Sequence, residues 1–310
     1  MAKQYLAAAF LLLMTGNLAE AKTYKEIFGT ETPLGGDEKL LVEALDYKQG
    51  VVELPLAHAK LTIPAGFYFL DHADTARVLT TLWGNPPDAA EGSLGMIFPT
   101  RYPPESAASW GSIIGYVDDG YVSDIDAQTI DYNDLLNELK TAAIEGNVER
   151  EKQGYEPITL VGWASPPFYD KSTHALHWAR DLIFGKDQSA SHTLNYSLRI
   201  LGREGVLQMN FVAGLPQLPE IKAAIPDMTK IATFDTGKAY TDFRDGDKLA
   251  AYGMMGMIAA GAGAKLAAKV GFLALGLAFL KKGGVLIFLA GAAMLRFAKG
   301  LFGKKMPPAV

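Results

Sequence analysis

The stretch from Leu249 to Gly300 constrains this chain more than any other. It is built almost wholly from Ala, Gly, Leu, Met, Val, Ile and Phe, and its charges are Lys265, Lys269, Lys281, Lys282, Arg296 and Lys299, with no acid among them. A segment of this kind is insoluble by itself and reads as a membrane anchor. Its apolar blocks, Ala250–Ala264, Leu266–Leu280 and Val285–Leu295, are each shorter than the roughly 20 residues a helical span needs. Joining the first two predicts one crossing from about Met257 to Leu280, broken at Lys281-Lys282-Gly283-Gly284, where two charges and two glycines end the run. The basic tail then belongs in the cytoplasm and the rest of the chain outside, with a two-helix hairpin as the alternative.

The opposite end supports export. Lys3 is a short positive region, Leu6 to Met14 is apolar, and Ala19-Glu20-Ala21 supplies a small-x-small cleavage pattern. The expected organisation is a signal peptide over 1–21, an extracytoplasmic domain over 22–248, an anchor over 249–302 and a short basic tail over 303–310. Charge divides the same way. Residues 22–248 hold 20 basic and 33 acidic residues, while 249–310 hold eight basic ones and no acid. An acidic domain of this sort carries no nucleic-acid footprint, and the basic tail suits an anionic cytoplasmic leaflet. The chain has no cysteine, which removes thiol catalysis, disulfides and thiolate metal sites together.

Within the domain the patterns predict an α+β fold, mostly antiparallel sheet with packed helices. Helices are expected over Asp37 to Tyr47, with Leu40, Leu41, Ala44 and Leu45 on the buried face, and from a cap at Asp71 to Trp83. Others are expected over Asp131 to Glu145, stopped by Gly146, and from Pro219 to Ile231, where Pro226 should kink or split the helix. Short strands are expected at 51–54, 60–63, 67–70, 94–98 and 112–117, and from Ile158 onward the period falls to two. Leu194, Tyr196, Leu198 and Ile200 alternate with polar residues as in a half-buried strand. Gly202 to Gly205 turns that strand, and Leu207, Met209 and Phe211 return along the next one.

The chain has no nucleophile elbow, P-loop or zinc-protease motif. Five aspartates (Asp118, Asp119, Asp124, Asp126 and Asp131) crowd one loop, but the spacing lacks the glycine and glutamate of a calcium-binding loop. They read instead as a solvated turn whose last member caps the next helix. His174 and His177 invite a metal, with Asp170 and His192 nearby; on the strand implied by Leu176, Trp178, Leu182 and Phe184 they point to opposite faces. The Trp163, Pro166, Pro167, Phe168, Tyr169 run reads as a rigid loop between strands, or as an aromatic binding wall. The candidate binding surface is therefore Trp163, Tyr169, Asp170, His174 and His177.

Three blocks carry a resemblance: Gly162-Trp-Ala-Ser-Pro-Pro-Phe-Tyr-Asp170, Thr173-His-Ala-Leu-His-Trp-Ala-Arg180, and Leu194-Asn-Tyr-Ser-Leu-Arg-Ile-Leu-Gly-Arg203. With Trp83-Gly-Asn-Pro-Pro87, Asp118-Asp-Gly-Tyr-Val122 and Tyr240-Thr-Asp-Phe243, they resemble the family catalogued as domain of unknown function 2167. The resemblance spans the mature chain and implies an exported domain with a C-terminal membrane segment and no assigned activity or catalytic residues. The function expected is that of a membrane-anchored envelope protein that binds or organises a partner, without a cofactor. The alternative is a periplasmic hydrolase using Asp/Glu or a metal held by histidines. The bilayer is one expected partner. Ala259, Gly263, Ala267 and Gly271, at four-residue spacing, suit self-association or a membrane partner.

Overall fold

In a computed structural model, which describes residues 19–259, the alternating hairpin lies in the interior of one antiparallel sheet of eleven strands. The strands are β1 (Glu20–Lys22), β2 (Tyr47–Leu54), β3 (Ala59–Ile63), β4 (Phe67–Asp71), β5 (Ser93–Pro99), β6 (Gly111–Val117), β7 (Ile158–Asp170), β8 (Ala175–Phe184), β9 (Thr193–Leu201), β10 (Val206–Gly214) and β11 (Ala232–Phe234). They lie in the order β11-β3-β2-β4-β5-β6-β10-β9-β8-β7, with β1 added to β2. Among the described residues six α-helices accompany them: α1 (Tyr24–Phe28), α2 (Gly36–Glu43), α3 (His72–Arg77), α4 (Tyr132–Lys152), α5 (Leu218–Ile231) and α6 (Met254–Ala259). Each strand anticipated from pattern is present. The hairpin pairs Leu201 with Val206 and Leu198 with Met209, as alternation requires.

The sheet is covered on both faces. On one, Ile221, Ile225, Met228 and Ile231 of α5 pack over Tyr196, Leu198, Met209 and Phe211. Pro226 lies inside that helix without splitting it. On the other face α1, α2 and α3 cover the β4–β5 end, and α4 and α6 cover the β7–β8 end. This second layer corrects the half-buried reading of β9. Its polar positions Thr193, Asn195, Ser197 and Arg199 are as buried as its apolar ones.

Other departures have local causes. In α2 the buried residue is Val42, joined just beyond the helix by Leu45, while Leu40 is 66% exposed, because two turns of helix meet the sheet along only that line. Gly146 does not stop α4. Just past it, Asn147 bonds both the N–H and the carbonyl of Ile158, and the helix runs on to a left-handed Gly154. The aromatic run expected as a loop is part of β7. Of the three register shifts along its pairing with β8, the one between Ser165 and Phe168 absorbs Pro166-Pro167, which is tolerated because β7 is the sheet's edge.

Asp71 and Asp131 cap α3 and α4 as expected, Asp131 accepting from the N–H groups of Asn133 and Asp134. Asp131→Ala is expected to cost about 1 kcal/mol in denaturant unfolding, with the slope of the transition unchanged.

The contacts do not break between 248 and 249. Residues 249–259 belong to the domain: Tyr252, Met254, Met257, Ile258 and Ala259 are buried in the cluster beneath α4. The expected span from Met257 thus begins with three residues of domain core. Its remainder lies outside the described residues, as do Gly263, Ala267, Gly271 and the basic tail. Among the described residues no helix is long and apolar enough to cross a membrane. Ala21, the expected cleavage point, pairs with Lys48 in the β1–β2 ladder, and the residues before Ala19 lie outside the described ones.

Candidate functional site

The five residues proposed as one surface are divided by the sheet. Trp163 lies opposite Arg180, with its indole N–H donating to the Tyr132 carbonyl at 3.1 Å. Tyr169 and His174 share that side. His177 faces the other, where Nδ1 is 2.8 Å from the Tyr196 hydroxyl and Phe168 stands edge-on to its ring. Asp170 shapes the β7–β8 turn, accepting from the N–H and hydroxyl of Ser172, and those bonds hold its carboxyl below the ordinary range. His174 and His177 have different partners on different faces and do not form a pair. No group of three His, Asp or Glu is placed to hold a metal among the described residues.

What the fold does assemble is a relay. The Tyr169 hydroxyl donates to Asp124 Oδ2 at 2.9 Å and lies 3.2 Å from His174 Nδ1. With the phenolic proton committed to Asp124, the His174 Nδ1–H donates to the Tyr169 oxygen. His174 is held in this place by a left-handed backbone, φ 50°, a conformation few non-glycine residues adopt. Its ring lies 4.5 Å from that of Tyr240, which stacks on Tyr121 at 4.4 Å, and Phe243 extends the row. Burial, reinforced by acidic or phenolic hydrogen-bond partners, pushes the hydroxyls of Tyr169 and Tyr240 well above the usual phenol range. At neutral pH both are hydrogen-bond donors and neither is a phenolate nucleophile.

The aspartate loop has a second task, which its composition did not reveal. Asp119 accepts from the Tyr252 hydroxyl at 2.9 Å, and Asp126 accepts from the N–H groups of Met254 and Met255, capping α6. Tyr121 pairs with Leu249 in a parallel bridge, bonded to the Lys248 carbonyl and the Ala250 N–H. Gly253 is needed here, since a Cβ would lie 2.7 Å from the Asp126 carboxylate. Arg180 closes the set with a 2.5 Å bond to the Ile258 carbonyl. The solvated turn is in fact a clamp on the C-terminal segment. Asp119, Asp126, Arg180 and Tyr252 were missed because their partners lie 78 to 133 residues away in sequence.

His177 yields a pH prediction. Burial lowers its pKa, so the unfolded chain takes up a proton at a higher pH than the folded one. Stability is present above the ordinary histidine range, near 6.5, and falls as pH drops through it toward the folded value. Melting temperature is expected to decline between pH 7 and 5, less steeply in His177→Gln. Equal slopes in the two proteins would refute the assignment.

A family model described as "Protein of unknown function (DUF2167)" matches residues 46–292. No curated protein matches. Among solved structures, the solution structure of cyanobacterial PsbP (CyanoP) from Synechocystis sp. PCC 6803 is similar at 9% identity and a TM-score of 0.33, covering 59% of this chain and 91% of that one. A likeness that slight carries no argument here.

Proposed function

We propose a role from the premise that this chain belongs to the DUF2167 family, whose model spans most of its length. The role is that of an exported domain, fixed to the membrane through its C-terminal stretch, that binds or organises a partner in the bacterial envelope. One observation carries the reading: the chain enters its apolar stretch from inside the domain's core. The Tyr121 bridge, the Asp126 cap and the Arg180 bond hold residues 249–259 against the sheet. A tethered enzyme gains from a flexible linker that lets it search for substrate. A segment packed against the sheet as far as Ala259 leaves the domain at one fixed place, which suits a scaffold.

The test has two parts. In spheroplasts the full chain should stay with the membrane after alkaline carbonate extraction, and protease added outside should cleave the domain. Release by carbonate, or protection of the domain, would remove the anchored reading. Because the chain has no cysteine, single cysteines at Ile125 and Leu249, which are 88% and 63% exposed, report neighbours without background. A discrete cross-linked adduct is expected from at least one of them. Migration only as an uncross-linked monomer from both positions would overturn the partner-binding role.

A further inference from the structure

The cluster beneath α4 holds two buried arginines among its apolar side chains. Arg180 on β8 and Arg199 on β9 are 6% and 4% exposed. Arg180 stands opposite Asn195 and Arg199 opposite Leu176, with Trp178 and Ser197 paired between them. The Arg199 guanidinium lies 5.1 Å from the centre of the Trp178 ring, and its Nη1 donates to the Leu198 carbonyl at 3.1 Å. The Trp178 indole N–H is buried without an acceptor among the described residues. Burial brings Arg180 down to about 10 and Arg199 to about 9, the latter helped by the neighbouring Arg180 charge. Both stay cationic at neutral pH. A buried ion is costly unless something of opposite charge faces it.

No carboxylate forms an ion pair with Arg199 among the described residues, where Arg77 and Arg203 have Asp74 and Asp247. Asp119 accepts from the Tyr252 hydroxyl, and Asp181 is engaged by His192. The sequence beyond Lys248 contains no acidic residue, and neither do residues 1–18.

We propose that Arg199, Arg180 and the Trp178 indole N–H form a binding site for a phosphate-class oxyanion, supplied by the headgroup of an anionic phospholipid. The set consists of donors alone, and guanidinium forks match phosphate geometry. Its position favours a headgroup: Arg180 is bonded to the carbonyl of Ile258, where the chain runs into its apolar stretch. This choice of source rests on the anchored reading above. The anion is enclosed as residues 252–259 dock, so it acts as an internal counter-ion and not as a freely exchanging ligand.

The experiment uses the full chain in non-ionic detergent, with phosphatidylglycerol, phosphatidylcholine or inorganic phosphate added. Phosphatidylglycerol should raise the melting temperature by several degrees and phosphatidylcholine should not. Arg199→Met should abolish the rise. Without added lipid it should melt no lower than the unaltered chain, since an uncompensated charge has been removed. Gln208, directly opposite Arg199 on β10, gives an independent variant. Gln208→Glu places a carboxylate beside the guanidinium, and should raise the lipid-free melting temperature and blunt the response to phosphatidylglycerol. No shift with any anion, or an undiminished shift in Arg199→Met, would overturn the site. An equal shift with inorganic phosphate would overturn the headgroup and leave the oxyanion site standing. Detergent-solubilised protein responds whether or not the chain spans a membrane in cells, so a failure of this site is distinguishable from a failure of the anchor, which carbonate extraction reports separately.

Discussion

A chain stopped at Lys248 is expected to lose its cooperative thermal transition, whereas one stopped at Ala259 keeps it. The eleven residues between them look in sequence like the start of the anchor, yet they carry four large apolar side chains that are at most 8% exposed: Tyr252, Met254, Met257 and Ile258. Burying a side chain of this size is worth about 1.5–3 kcal/mol. Four of them together approach the whole stability of an ordinary domain, about 5–15 kcal/mol. Their removal also bares Leu135, Leu139 and Trp178 and takes the Ile258 carbonyl from Arg180. The comparison is made with purified fragments beginning at Lys22, by near-ultraviolet circular dichroism and limited proteolysis. If the shorter fragment melts cooperatively within a few degrees of the longer one, residues 249–259 are not part of the folding unit.

That boundary marks where the sequence stopped being legible. Periodicity sees one element at a time. It found β9 and β10 because both faces of each strand follow period two, and it found the caps at Asp71 and Asp131 because capping is local. It misread β9 as half-buried because Thr193, Asn195, Ser197 and Arg199 are polar. Only a second layer contributed by distant segments, α4 and α6, puts them inside. Met254 to Ala259 failed for the converse reason. An apolar helix that packs against a sheet and one that enters a bilayer have the same composition. What separates them here is a row of polar partners (Asp119, Asp126 and Arg180) far away in sequence. The candidate site divided in the same way. Tyr169 and His174 met through the β7–β8 turn, five residues apart, but Asp124 and Tyr240 joined them only through the tertiary fold. His177 lies on the other face, as strand spacing required, while the turn holds His174 in a left-handed backbone that no spacing rule anticipates.

The largest single-residue effect is expected at Met209. It is fully buried, lies between Leu198 on β9 and Ile114 on β6, and packs in the cluster that α5 covers. Met209→Asp removes a large apolar side chain from a close-packed site, a change that by itself costs about 2–5 kcal/mol. It also leaves a carboxylate among Tyr196, Leu198, Phe211 and Ile114, none of which presents a cation. The folded state must then either bury the charge or protonate the acid, and each route costs several kcal/mol more. The sum reaches about 5 kcal/mol or above, enough to unfold a domain of ordinary stability at 25 °C. Met209→Leu serves as the control, since a swap that nearly conserves volume should cost less than about 1.5 kcal/mol. Because the side-chain period of a strand is two, the neighbouring Gln208 faces the other side of the sheet, and an acid there meets Arg199. The expected order of stability is therefore Gln208→Glu, then Met209→Leu, then Met209→Asp, read from urea midpoints. Should Met209→Asp keep the midpoint of the unaltered chain while Gln208→Glu loses it, the register of the central hairpin is shifted by one residue.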